Sequence, residues 1–261
     1  MRSVLLEAPG RLVLQEVPEP TEVGPGEALV RVLRVGVCGS DLHAFNGRQA
    51  FMRYPIVLGH ELAVEVLAVG PDAPGAQADA AAAVVGVSDV PAKAAAAVVG
   101  DRCTVVPYLS CGTCQACRVG RTNCCERLQL LGIHVDGGLR ERFVLPRAAL
   151  LVANDVDVDA LALVEMLAVG LHASRRAAVA AHERVLVLGA GPIGLATMAF
   201  LAPSAAATWT FDLDARRAAF AASALGVRAL PVDSAAAVPT PDERLAGVRR
   251  AFGGDLPDVV V

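Results

Sequence analysis

Apolar and polar residues alternate along the first half of the chain, as in Arg11 to Val17 and Ala28 to Val37, and Pro and Gly cut the alternation into short runs. A period of two marks half-buried strands, so this half is predicted as a β-rich, barrel-like domain. The period changes near residue 157. Helical stretches at Asp159 to Arg176, Pro192 to Leu201 and Asp214 to Leu225 alternate with short strands at Arg184 to Leu188 and Thr208 to Leu213. That succession is the βαβ pattern of a parallel sheet. Two domains are expected, 1–155 and 156–261. Residues 72–100 fit neither: they are Ala-rich, carry AAAAVVG twice and join two strand-like segments. They read as an inserted loop with no chemistry of its own.

Composition narrows the function classes. The chain has 261 residues, 54% of them hydrophobic, and a net charge of −4. Every apolar stretch is broken by charge, Pro or Gly before about 18 residues, so no membrane span is expected. The basic residues are scattered, with no stripe and no stacking aromatics beside them, which argues against nucleic acid as a partner. The opening MRSVLLEAPGRLVLQEV is strand-like and lacks the marks of a secretory signal, so a reducing, cytoplasmic setting is expected.

Cysteine spacing carries the first chemistry. Cys111, Cys114, Cys117 and Cys125 are separated by two, two and seven residues in a loop rich in Gly, Arg, Thr and Asn. Gathered thiolates repel one another, and a soft divalent cation relieves the repulsion where disulfides do not persist. The cluster reads as a structural zinc site. The first three cysteines also have the opening spacing of an iron–sulfur run, but the fourth stands at the wrong distance and no Pro follows it. Cys124 competes with Cys125 for the fourth place, since only one of two neighbours can complete a tetrahedron.

A second constellation begins at Cys38, in VGVCGSDLH, and resumes at Gly59-His60-Glu61. Three protein ligands including a thiolate and an imidazole leave a catalytic zinc one open position. Taken singly, Cys38 also reads as a small core residue and His60 as half of a surface pair. Farther along, VLVLGAGPIGLA sets Gly189, Gly191 and Gly194 between a strand and a helix, the context of a dinucleotide-binding turn. Gly189 permits the turn, Gly191 the approach of the pyrophosphate and Gly194 close packing of helix on strand, with Pro192 and Ile193 opening the helix. Asp212 closes the next strand, where a carboxylate accepts from ribose hydroxyls and repels a 2′-phosphate, favouring NAD over NADP. Asp214 reads as a helix N-cap. Arg217 and its neighbour Arg216 read as adenine contacts or as a solvated face.

In order, CGSDLH, GHE, GDRC at Gly100 to Cys103, the four-cysteine loop and the glycine turn resemble the zinc-dependent medium-chain alcohol dehydrogenases. The glutamate after His60 and the segment LVEMLAVGLHA are similar to the polyol, sugar-acid and threonine dehydrogenase branch. The resemblance implies an α/β protein, with an N-terminal β-rich GroES-like catalytic domain followed by a partial Rossmann doubly wound parallel sheet. It implies two zinc ions per chain, NAD as cofactor, and hydride transfer from a small secondary alcohol. Cys38 and His60 would be ligands of the catalytic zinc, with Glu61 or Glu165 completing the shell. Asp41 would orient the His60 imidazole, while Ser40 and His43 would carry the alcohol proton to solvent. Ser40 and Asp41 also read as the cap of a short helix at SDLHAF. Val64 stands where the family signature has Gly, a branched side chain expected to crowd the backbone near the metal, and Met166 stands where it has Pro. Arg48, Arg53, Tyr54 and His134 lie in loops able to reach a polar substrate, though each also reads as a turn residue.

The sequence ends at PDVVV, read as the fourth strand of the nucleotide-binding sheet. Relatives are expected to continue through the remaining strands, including the one through which they form homo-oligomers. A second expectation therefore stands beside the enzyme: a truncated, non-catalytic zinc-binding protein or a fragment of a split dehydrogenase gene.

Overall fold

The computed structural model describes residues 1–50, 52–72, 96–231 and 241–261. They form two compact units, Met1–Glu165 and Met166–Val261. The expected insertion at 72–100 lies outside the described residues except at its two ends.

The first unit runs through β1 (Arg2–Ala8), β2 (Arg11–Glu16), β3 (Glu27–Gly36), α1 (Gly39–Phe45), β4 (Ile56–Val57), β5 (Glu61–Val69), β6 (Arg102–Val105) and β7 (Tyr108–Leu109). It continues with α2 (Gln115–Arg118), β8 (Gln129–Leu130), β9 (Arg142–Pro146), β10 (Leu150–Val152), α3 (Val158–Ala162) and the start of α4 (Val164–Ala177). An antiparallel sheet of order β10-β6-β5-β3-β9 is its centre, with a three-stranded sheet β2-β1-β4 and a two-stranded ladder β7-β8 beside it. The alternation read from the sequence sets which side chains turn inward. Ala28 and Val30 of β3 join Val64 and Val66 of β5 and Phe143 and Leu145 of β9 in one buried cluster. Each large aliphatic or aromatic side chain buried there contributes roughly 1.5–3 kcal/mol. Val64, expected to crowd the metal region, is instead fully buried in that cluster, paired across the sheet with Val32 and Cys103.

Two helices of this unit differ in their bounds from the expected ones. The single helix expected over Asp159 to Arg176 is two helices, meeting at Leu163. Asp157 caps the first by accepting from the backbone of Asp159 and Ala160 at 2.9 and 3.4 Å, and Leu161 and Ala162 pack on Ala63. The helix at SDLHAF starts one residue earlier than Ser40, with Cys38 as its N-cap; Asp41, in the first turn, accepts from the Cys38 amide at 2.9 Å.

The second unit holds β11 (Arg184–Leu188), α5 (Pro192–Leu201), β12 (Ala207–Phe211), α6 (Ala215–Leu225), β13 (Arg228–Ala229), α7 (Pro241–Ala251) and β14 (Val259–Val260). Its strands are all parallel, in the order β13-β12-β11-β14. Period two again explains the packing, because β11 is buried on both faces. Val185 and Val187 face Met198, Leu201 and Ala221, whereas Leu186 faces Trp209, Leu230 and Phe252. Helices on both faces make the sheet doubly wound. The strand expected to reach Leu213 stops at Phe211, since Asp212 leaves the ladder for the glycine turn.

Candidate active site

Antiparallel pairing of β3 with β5 assembles the first group. The register sets Gly36, the last residue of β3, opposite Glu61, the first of β5. Cys38 lies two residues past the end of one strand and His60 one residue before the other, so both arrive at the same end of the ladder. One ligand atom each from Cys38, His60 and Glu61 falls within 4.8 Å of the others. Gly36 is required at its position because a Cβ there would collide with the Glu61 carboxylate.

These groups perturb one another. The hydrogen bond with His60 lowers the Cys38 pKa against the opposing effect of burial, and Ser40 adds to the lowering. Burial opposes a charge on His60, but the Cys38 thiol and the charges of Asp41, Cys38 and Glu165 outweigh it, leaving the imidazole pKa raised. Burial raises the pKa of Asp41, Glu61 and Glu165. Two polar atoms are left without good partners: the buried His60 Nδ1 and Ser40 Oγ. His60 Nδ1 faces Asp41 Oδ1 at 3.8 Å, too far for a hydrogen bond. A half-buried thiol converging with a buried imidazole and a buried carboxylate is a donor set suited to a divalent cation.

Among the other candidates in this unit, His43 is exposed near the end of α1. Glu165 is outside the trio; its Oε1 accepts instead from the Tyr108 hydroxyl at 3.4 Å. Sequence pattern does not single out Tyr108, although Pro107-Tyr108 directly before the cysteine loop is the available signal. Tyr54 and His134 have structural partners, the Ala44 carbonyl and the Leu130 amide. Arg48 and Arg53 are exposed.

The second thiol group is local. The β7-β8 ladder, with Tyr108 opposite Leu130 and Leu109 opposite Gln129, closes the neck of the loop that carries all four cysteines. Cys111, Cys114, Cys117 and Cys125 bring their sulfurs within 4.8 Å, with Cys114 to Cys117 at 3.5 Å and Cys111 to Cys117 at 3.9 Å. None of the cysteines is in a disulfide, and Cys124 is exposed outside the group. Backbone amides of Cys114 and Arg127 donate to Cys111 Sγ and Cys125 Sγ at 3.4 and 3.3 Å. Backbone donors and Arg127 bring the Cys111 pKa down to about 5, while burial beside the other sulfurs pushes Cys117 up to about 12. Four sulfurs gathered this closely are the donor set of a tetrahedral soft-metal site.

In the second unit the sequence candidates gather at one strand-to-helix turn. Gly189 has φ +104°, a conformation costly for other residues, and its amide donates to the Phe211 carbonyl at 2.7 Å. Gly191 is the N-cap of α5, Pro192 its first residue, and Ile193 is partly exposed beside them. Gly194 lies directly against the Gly189 carbonyl, where a Cβ has no room. Asp212 accepts from the Ala190 amide at 2.7 Å and from the Asp214 amide at 2.8 Å, tying the turn to the end of β12. Asp214 caps α6 and pairs with Arg216, whereas Arg217 is exposed.

A four-thiol cluster, a Cys-His-Glu trio and a glycine turn opening a helix are the features that the zinc-type dehydrogenases combine. The alcohol dehydrogenase GroES-like domain profile matches residues 24–155, and the chain belongs to the zinc-type medium-chain alcohol dehydrogenase superfamily. It is 36% identical over 263 aligned residues to L-galactonate-5-dehydrogenase of Escherichia coli K12, covering 100% of this chain and 68% of that one. It is 31% identical over 209 residues to sorbitol dehydrogenase of Bacillus subtilis 168, covering 76% of this chain and 52% of the relative. Among solved structures, the rspB alcohol dehydrogenase of E. coli CFT073 with NADH superposes with a TM-score of 0.78 at 29% identity, over 100% of this chain and 68% of that one. The chain thus spans about two thirds of the galactonate enzyme and about half of the sorbitol enzyme. No helix among the described residues is long and apolar enough to cross a membrane.

Proposed function

We propose that the chain takes part in NAD-dependent oxidation of a secondary alcohol in a polyol or sugar acid, assisted by zinc. The observation that carries this reading is the Cys38, His60 and Glu61 trio at one end of the β3-β5 ladder. Zinc, when bound there, supplies Lewis acidity that makes the substrate hydroxyl easier to deprotonate. The glycine turn would hold NAD, whose nicotinamide would supply the acceptor for the hydride of the carbinol carbon.

The chain's own groups do the rest. Cys38 and Glu61 supply negative charge, and His60 supplies a neutral nitrogen once Asp41 orients its ring. Ser40 and His43 are three residues apart on α1 and so share a face of that helix. The Ser40 hydroxyl, its oxygen buried and without a good partner, would accept the alcohol proton while handing its own on toward the exposed His43, which would release a proton to water. Relays of this kind contribute roughly 10²–10⁴ in rate. Gly189 makes the turn, Gly191 leaves the backbone open to a pyrophosphate and Gly194 lets α5 pack against the turn, with Pro192 and Ile193 in the first helical turn. Asp212 keeps lone pairs for ribose hydroxyls beside its two backbone bonds, and the exposed Arg217 would lie along the adenine. The four-cysteine loop holds a second, structural zinc.

The polyol or sugar-acid class rests on the galactonate and sorbitol enzymes among the relatives. Purified chain, analysed for metal, should reduce NAD with galactonate or sorbitol, and His60→Ala should lower turnover at least about 10²-fold. Undiminished turnover in that variant overturns the mechanism. Bound zinc without dinucleotide binding or turnover supports a non-catalytic zinc-binding chain instead.

A further inference from the structure

Glu165 is a carboxylate near a metal site that it does not join. Its charge acts on both His60 and Glu61, yet its oxygen is engaged by the phenol of Tyr108. We propose that Tyr108 is a positioning residue that holds Glu165 outside the ligand set, so that Cys38, His60 and Glu61 alone hold the ion and a fourth position stays open to substrate. The proposal rests on the zinc reading given above and adds the device that chooses between two available glutamates.

Three observations carry it. First, Glu165 sits in the first turn of α4 and Glu61 at the start of β5, so the two carboxylates belong to separate elements and can be engaged separately. A catalytic zinc needs three protein ligands and an open place, and a fourth carboxylate would fill that place. Second, a phenol hydroxyl donates one hydrogen bond, and here it is spent on Glu165 Oε1 at 3.4 Å. Third, Tyr108 is fixed by backbone pairing rather than by its side chain alone. It is paired with Leu130 in the ladder at the neck of the four-cysteine loop, Leu131 beside it is buried in the main core, and the Pro107 carbonyl accepts from the Leu131 amide at 3.1 Å. The backbone that carries the donor is therefore held from both strands of the neck, while Tyr108, 40% exposed, meets Glu165 through its hydroxyl.

Metal binding by the whole chain tests this. Each metal equivalent is titrated against a competing chelator, and the visible spectrum of the cobalt-loaded protein reports how many ligands surround the ion. Tyr108→Phe removes the donor and frees Glu165. The expected result is about tenfold tighter binding of the weaker equivalent and a cobalt spectrum changed toward a closed site. Tyr108→Phe combined with Glu165→Gln should return both to wild-type values. Loss of ordinary structural support would weaken binding instead, so a weakened or unchanged affinity in Tyr108→Phe overturns the proposal. Glu165→Gln alone gives an independent answer should Tyr108→Phe fold poorly. Wild-type affinity is expected, and a drop of tenfold or more would make Glu165 a ligand already. A wild-type chain that holds metal only at the four cysteines overturns the zinc reading itself and the tether with it, whereas two bound equivalents with the wrong variant pattern overturn only the tether.

Discussion

The two units present functional atoms in opposite ways. In the first, the candidate chemistry is carried by side chains: strand ends bring a thiol, an imidazole and a carboxylate within 4.8 Å of one another, and a loop does the same for four thiols. In the second it is carried by backbone, because the turn between β11 and α5 works through the side chains that Gly189, Gly191 and Gly194 lack. The difference sets opposite substitution rules. Removing atoms should damage the first unit, and adding them should damage the second.

The largest effect is expected where removed atoms also hold structure. Cys114→Ala leaves three thiols, which cannot complete a tetrahedral soft-metal site. Metal analysis should show one of the two equivalents lost. Structural zinc in small finger domains is worth roughly 10–16 kcal/mol. Here the β7-β8 ladder and the core remain, so unfolding should be confined to residues 110–128. Limited proteolysis should cut there first, and an uncut loop in the metal-depleted variant would show that other contacts hold it.

Next comes His60→Ala, which removes a buried ring from the trio but leaves the four-cysteine loop intact. Its effect should fall on the other metal equivalent and on turnover. If both single variants lose the same equivalent, the two groups are not separate sites.

These regions were not equally legible in the sequence. The four-cysteine loop and the glycine turn are local, so spacing alone points to them. The bounds of α5 and β11 agree with the expected ones for the same reason: Pro192 fixes one start, and continuous burial of Val185, Leu186 and Val187 marks the other. Cys38 and His60 meet only through the β3-β5 register, so residue type suggests the pair, family resemblance strengthens it, and spacing alone does not reveal it. The break at Leu163 depends on tertiary burial of Leu161 and Ala162 against Ala63, which helical periodicity cannot report. Tyr108 reaches Glu165 across 57 positions, beyond any local pattern.

Two additions in the second unit sharpen the contrast. Gly194→Ala places a Cβ against the Gly189 carbonyl, and relieving that overlap should cost about 1–3 kcal/mol in chemical denaturation. Gly191→Ala meets no atom within 4 Å, and Gly191 has φ −73°. Its stability should change by no more than about 0.5 kcal/mol. Isothermal titration should nevertheless show weaker NAD binding, because the new methyl occupies space meant for the pyrophosphate. Unchanged NAD affinity in Gly191→Ala would remove the turn from the cofactor reading.

The smallest effect concerns a side chain of the second unit that acts by serving backbone. Asp214 accepts from the Arg216 amide at 2.9 Å as N-cap of α6, and its carboxylate pairs with the Arg216 guanidinium at 2.9 Å. The Arg216 hydrogen bonds bring its pKa down to about 2. A pKa depressed in the folded state means stabilisation that is complete above the unfolded value near 3.9 and is lost as pH falls through about 2. Asp214→Asn keeps a good capping residue and removes only the charge. The wild type should therefore be slightly more stable at neutral pH, the difference should shrink below about pH 4, and it should vanish once pH passes below about 2. Metal loss in acid is common to both proteins and cancels in the comparison. Added salt should shrink the neutral-pH difference too, because the Arg216 side chain is 92% exposed and its attraction to Asp214 is screened. A difference that persists unchanged into acid would mean that packing, not charge, separates the two.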